Sequence, residues 1–154
     1  MLSEQARAEI DKLRGKYPQP RSVLMPALSI AQSENGWLSP EVMLEVADYL
    51  ELPPAEVAAV ASFYTMYRLK PMGRYLIQVC TNISCSLLGV EHLVDYLREK
   101  LGTEEGVTTP DGKFTWVTVE CLGSCGTAPV MQVNDTYYEN LTREKIDEIL
   151  DGLP

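Results

Sequence analysis

The first half of the chain repeats its apolar residues at intervals of three and four. Ala6, Ile10 and Leu13 fall at helical spacing ahead of Gly15, and Pro18 and Pro20 close that segment. Val23, Leu24, Ala27, Leu28 and Ala31 predict a second helix that stops at Asn35-Gly36. Ser39-Pro40 pairs an N-cap hydroxyl with a first-turn proline. It opens a third helix whose apolar face is Val42, Met43, Val46, Tyr49 and Leu50. Pro53 and Pro54 interrupt the pattern, and Pro54 suits the first turn of a fourth helix carrying Val57, Val60, Ala61 and Tyr64. No convincing strand precedes Pro71-Met72-Gly73, so residues 1–72 read as a helical bundle.

The period changes after Gly73. Tyr75 to Val79 is a short aromatic and β-branched run, the pattern of a buried strand. From Ser86 onward, Leu87, Val90, Val94, Leu97 and Leu101 recur at helical spacing and predict one crossover helix ending at Gly102. Thr103 to Lys113 is polar and reads as a loop, and Phe114 to Glu120 as a second strand. The stretch from Cys80 to Lys113 is ample for a right-handed crossover between parallel strands. Val130–Val133 and Tyr137–Tyr138 flank Asn134-Asp135-Thr136 as a hairpin. A last helix opens at Thr142, with Leu141 and Ile146 at the positions of a hydrophobic staple and Glu144 at the positive end of the dipole. The order strand, helix, strand, hairpin, helix is that of a thioredoxin-like fold. The expected class is therefore α/β (α+β): a helical bundle over 1–72, then a mixed sheet with flanking helices over 73–154.

Composition narrows the function classes. The 154 residues carry 13 basic and 22 acidic side chains, a formal net charge of -9. That balance argues against nucleic acid and against an anionic membrane surface, both of which need Lys/Arg clusters. No apolar run approaches the roughly 20 residues of a spanning helix, so no direct membrane insertion is expected. The N-terminal stretch, with Glu4, Glu9 and Asp11, resembles neither a secretion signal nor an import leader. An intracellular, reducing setting then favours thiols used for metal or redox work over structural disulfides.

All four cysteines follow the two strand candidates: Cys80 and Cys85 after the first, Cys121 and Cys125 after the second. A parallel sheet brings the carboxyl ends of its strands to one edge, so the two pairs can meet there. Four thiolates in two pairs suit a [2Fe-2S] cluster, one pair per iron, or a single tetrahedral zinc. Structural zinc sites prefer tighter knuckles, which tilts the balance toward iron–sulfur, while zinc and four inert buried thiols stay open. Neither pair has the spacing of a Cys-x-x-Cys catalytic dithiol. The flanks suit an anionic group. Cys85 lies at the start of the predicted crossover helix, Gly123 and Gly126 bracket Cys125, and Thr81, Ser84, Ser86 and Ser124 offer hydroxyl donors.

Other residues carry less. His92, the only histidine, shares a polar helix side with Glu91, Asp95 and Glu99 and reads as solvated. Glu120 has no assigned role. Pro129 is either a cis-proline of the thioredoxin type or part of an ordinary trans turn, which base rate favours. The run Phe63, Tyr64, Met66, Tyr67 reads first as helix core and second as a partner interface. Neither a glycine-rich phosphate loop nor a nucleophile with its base is present, so any substrate site lies on another chain.

The runs I-Q-V-C-T-N-I-S-C from Ile77 and E-C-L-G-S-C-G-T-A-P-V-M-Q-V-N-D-T-Y-Y-E-N-L from Glu120 resemble the signature of the E-subunit family of NADH dehydrogenase, the NADH-quinone oxidoreductase of respiratory complex I. G-W-L-S-P at Gly36–Pro40 and A-S-F-Y-T-M-Y at Ala61–Tyr67 extend the resemblance over nearly the whole chain. It implies a thioredoxin-like ferredoxin domain holding one [2Fe-2S] cluster on Cys80, Cys85, Cys121 and Cys125. It also implies an electron-transfer role, with the helical half docked on a partner subunit that binds FMN and NADH. In that family the cluster lies near the flavin but off the main electron route to quinone. The implied location is peripheral, on the cytoplasmic side of the bacterial inner membrane. The same module serves NAD-linked hydrogenases and formate dehydrogenases, which is the alternative parent complex. A zinc-stabilised adaptor is the alternative of another class.

Overall fold

The computed structural model describes residues 1–154, which divide into two compact units, Met1–Pro71 and Met72–Pro154. The first contains α1 (Glu4–Arg14), α2 (Leu24–Asn35), α3 (Pro40–Leu50) and α4 (Pro54–Phe63), with a 3-10 turn at Pro20–Val23 leading into α2. Helix starts follow local chemistry. Ser3 Oγ accepts from the Ala6 N–H at 3.1 Å and Ser39 Oγ from the Val42 N–H at 3.2 Å. Each cap contributes about 1 kcal/mol. Ile10, Leu24, Leu28, Leu38, Val46, Leu50 and Val57 form a core sealed from solvent.

The chain leaves the helical state at Tyr64, one residue earlier than the apolar spacing suggests. Gln32 holds the segment that follows: its amide donates to the Met66 carbonyl at 3.0 Å and accepts from the Arg68 N–H at 2.6 Å. The aromatic run therefore splits. Tyr67 is buried with its hydroxyl on the Met25 carbonyl at 2.9 Å, whereas Phe63, Tyr64 and Met66 are exposed. The reading as helix core fails in two ways: Phe63, the last residue of α4, is exposed, and Tyr67 joins the core from beyond the helix end.

The second unit contains β1 (Tyr75–Cys80), α5 (Ile83–Leu87), α6 (Val90–Leu101), β2 (Phe114–Val119), β3 (Met131–Val133), β4 (Thr136–Tyr138) and α7 (Arg143–Gly152). Its sheet is mixed, in the order β2-β1-β3-β4, with β1 parallel to β2 and the other neighbours antiparallel. The register sets Ile77 beside Trp116 and Val133, and Val79 beside Thr118 and Met131. These positions share one face, and Val90 and Leu97 of α6 with Ile146 and Leu150 of α7 join the same core. Trp116 is fully buried, and its indole N–H donates to the Thr103 carbonyl at 3.0 Å. Thr142 caps α7 by accepting from the Lys145 N–H, and Leu141 and Ile146 are both buried, as the staple requires.

The crossover is two helices, not one. Gly89 takes a left-handed conformation, φ 79°, which ends α5 and restarts the chain as α6. Leu87, in step with the apolar repeat, is 80% exposed and belongs to no core. Ala128–Pro129 is cis, against the trans expectation. The tertiary amide makes that isomer accessible, and the carbonyls on its C-terminal side are both engaged, Val130 by the Cys80 N–H and Pro129 by the Leu141 N–H. No helix is long and apolar enough to cross a membrane.

Candidate metal centre

The sheet gathers the cysteines. Cys80 is the last residue of β1, and its pairing with Val119 sets the end of β2 alongside, two residues before Cys121. Cys85 stands on α5, and Cys125 opens a 3-10 turn, Cys125–Thr127. All four thiols are free. Cys80 lies within hydrogen-bonding reach of Cys85 and Cys121, and Cys85 feels the charge of Cys125. Cys80 and Cys85 are buried while Cys121 and Cys125 are exposed, so one site has an inner and an outer half.

Backbone N–H groups set the electrostatics of the inner half. Burial pushes the Cys80 thiol up, yet the N–H groups of Asn82 and Leu122, with the Cys85 and Cys121 thiols, outweigh it and hold the group below the ordinary thiol range. Burial pushes Cys85 up as well, and its neighbours Cys80 and Cys125 add to the rise against one opposing N–H, that of Val130. In the outer half the Gly123 N–H donates to Cys121 Sγ at 3.3 Å. Gly123 has φ 75°, a left-handed geometry that turns this N–H back on the preceding sulfur.

Three of the four hydroxyls expected to do this work turn to oxygen acceptors instead. Thr81 donates to the Val119 carbonyl at 3.2 Å, Ser86 to the Glu91 carboxylate and Ser124 to Glu139 Oε1 at 2.5 Å. An oxygen acceptor, above all an ionised one, outcompetes a weakly accepting sulfur for each hydroxyl proton. Glu139 escaped sequence reading, since nothing in its spacing links it to Ser124. His92 and Glu120 are exposed. Ile83, Leu87 and Leu88, exposed at 68%, 80% and 60%, lie on either side of Cys85 in the chain.

Four free thiols at one sheet edge, met by backbone donors suited to an anionic group, fit a [2Fe-2S] cluster.

A family model described as thioredoxin-like [2Fe-2S] ferredoxin matches residues 10–154. An E-subunit of NADH-quinone oxidoreductase from Rhizobium meliloti is 48% identical over 146 residues, 95% of this chain and 87% of the relative. NADH-quinone oxidoreductase subunit 2 from Thermus thermophilus is 48% identical over 147 residues, 94% of this chain and 81% of the relative. Among solved structures, an NAD+-reducing [NiFe]-hydrogenase in the H2-reduced state superposes with a TM-score of 0.74 at 28% identity. The match takes in 85% of this chain and 22% of the hydrogenase chain. From the gathered thiols and a family match that runs from Ile10 to the last residue, the chain belongs to the thioredoxin-like [2Fe-2S] ferredoxin family and carries that cofactor.

Proposed function

We propose that the chain is the electron-transfer subunit of an NADH-quinone oxidoreductase, with Cys80, Cys85, Cys121 and Cys125 as the ligands of its cluster. The observation that carries this reading is that Cys80, at the end of β1, lies within reach of Cys85 and Cys121, while Cys85 in turn feels Cys125. When bound, the cluster supplies one-electron transfer. The chain's own residues supply ligation, fixed donors and position. The N–H groups of Asn82, Leu122, Gly123 and Val130 are aimed at sulfur. As parts of the backbone they keep their orientation through a change of charge.

In this proposal FMN and NADH belong to a partner subunit, and the helical unit Met1–Pro71 is the docking module. The exposed Phe63, Tyr64 and Met66 support that role, since aromatic and methionine side chains are enriched at interfaces. The complex is peripheral to the cytoplasmic side of a membrane, through other subunits. The likeness to the hydrogenase chain favours a second reading, an equivalent component of an NAD-linked hydrogenase.

The test is iron and acid-labile sulfide content of anaerobically purified protein, with EPR after dithionite reduction. About two irons and two sulfides per chain with an S = 1/2 signal are expected for this cluster type. One zinc, no sulfide and no signal would overturn the proposal.

A further inference from the structure

Outside the cysteines, one side-chain cluster bears directly on their loop. Glu139, half-buried just after β4, accepts at a single carboxylate oxygen from Ser124 Oγ at 2.5 Å and from Thr127 Oγ1 at 2.7 Å. Those two hydroxyls are themselves 2.7 Å apart. On either side, the Tyr137 hydroxyl donates to the Leu122 carbonyl at 3.0 Å and the Asn140 N–H to the Thr127 carbonyl at 2.7 Å. Lys145 Nζ, on α7, donates to the Glu139 carbonyl at 2.6 Å and ties the same segment to the helix. Residues 137–140 thus brace the arc from Leu122 to Thr127.

The inner thiols need no such brace, because Cys80 and Cys85 belong to the buried core. The outer ones are exposed, and their arc contains no regular structure beyond the three-residue turn. Hydrogen bonds to an ionised acceptor are the stronger kind. The Ser124 and Thr127 hydroxyls hold the Glu139 carboxyl below the usual carboxylate range, so it is ionised at neutral pH.

We propose that Glu139 is a positioning residue whose carboxylate clamps the Leu122–Thr127 arc and so fixes Cys121 and Cys125 where a cluster needs them. The proposal rests on the reading of those thiols as ligands. No contact between Glu139 and the metal is involved.

The test uses the full, cluster-loaded chain. Release of the cluster to excess chelator is followed by visible absorbance, and its chiral surroundings by visible circular dichroism. Glu139→Ala removes the acceptor of both hydroxyls and should speed release at least about tenfold, the scale of a single lost hydrogen bond to a charged group, with an altered dichroism spectrum. Glu139→Gln keeps an acceptor oxygen and should restore both the rate, to within about threefold, and the spectrum. The pair Ser124→Ala and Thr127→Val keeps the carboxylate, removes its donors and should speed release as Glu139→Ala does. Wild-type release in Glu139→Ala or in the double variant, or release from Glu139→Gln as fast as from Glu139→Ala, would overturn the clamp. A wild-type chain that takes up no iron and sulfide would instead overturn the cluster reading beneath it.

Discussion

Gly123→Ala isolates the contribution of one backbone donor. At this position a Cβ meets nothing within 4 Å, so the substitution causes no clash. Its whole effect comes from φ 75°, which costs an L-residue about 1–2 kcal/mol. The loop can stay as it is and bear that cost. It can also relax, and the N–H then turns away from Cys121 Sγ, now 3.3 Å distant. The reduced cluster is the more negative state, so a hydrogen bond to its sulfur favours reduction. If that preference is about 1 kcal/mol, a relaxed loop lowers the one-electron potential by about 40 mV, since a tenfold change corresponds to about 59 mV. Gly126→Ala is the matched control: its Cβ also meets nothing within 4 Å, and its φ is not left-handed. Each variant is titrated with dithionite under EPR and melted in urea. Gly123→Ala should lose stability, potential or both, while Gly126→Ala keeps both. Identical values for the two would refute the assigned role of the Gly123 N–H.

Replacing Cys80, Cys85, Cys121 or Cys125 singly by Ala should abolish or severely destabilise the cluster. Unaltered visible absorbance in any variant removes that cysteine from the ligand set. Deleting residues 1–72 should spare the cluster and abolish association with the proposed flavin-binding partner, so equal recovery of the truncated chain in a pull-down would refute the docking role. Asp147 accepts from Lys100 Nζ at 2.5 Å and from the Tyr96 hydroxyl at 2.6 Å, and these contacts hold its carboxyl below the ordinary range. Its contribution to stability is present above the unfolded-state value and lost as pH falls through the depressed one. Asp147→Asn should therefore be less stable than wild type in urea at neutral pH, with the gap closing in acid. A gap constant down to the acid limit would contradict this.

Punctuation made the helical unit readable. Ser39-Pro40 and Asn35-Gly36 mark helix ends through chemistry confined to neighbouring residues, and α3 starts and α2 stops there. The nearness of Cys80 to Cys85 and Cys121 was legible for a related reason, because two strands joined by a crossover leave few other arrangements. Gly89 was missed because Leu87 happens to continue the apolar repeat, and a repeat does not report a single reversed φ. The hydroxyls were misassigned because Ser86 and Ser124 stand beside cysteines in sequence but face carboxylates in space. The Ser124–Glu139 contact joins residues on opposite sides of a hairpin, a distance that no local pattern encodes.

The register of β1 on β2 also acts as a gauge. The pairing that sets Ile77 beside Trp116 sets Cys80 beside Val119. A slip of one residue would move Cys80 by about 3.3 Å along the strand and turn it to the opposite face. The same slip would carry Ile77 and Val79 out of the core they share with Trp116 and Met131. Full burial of even one such side chain contributes about 1.5–3 kcal/mol, so a misaligned chain loses much of its core together with its thiol geometry. The fold thereby proofreads the inner end of the site: a chain that packs its sheet correctly has already placed Cys80, before any metal arrives.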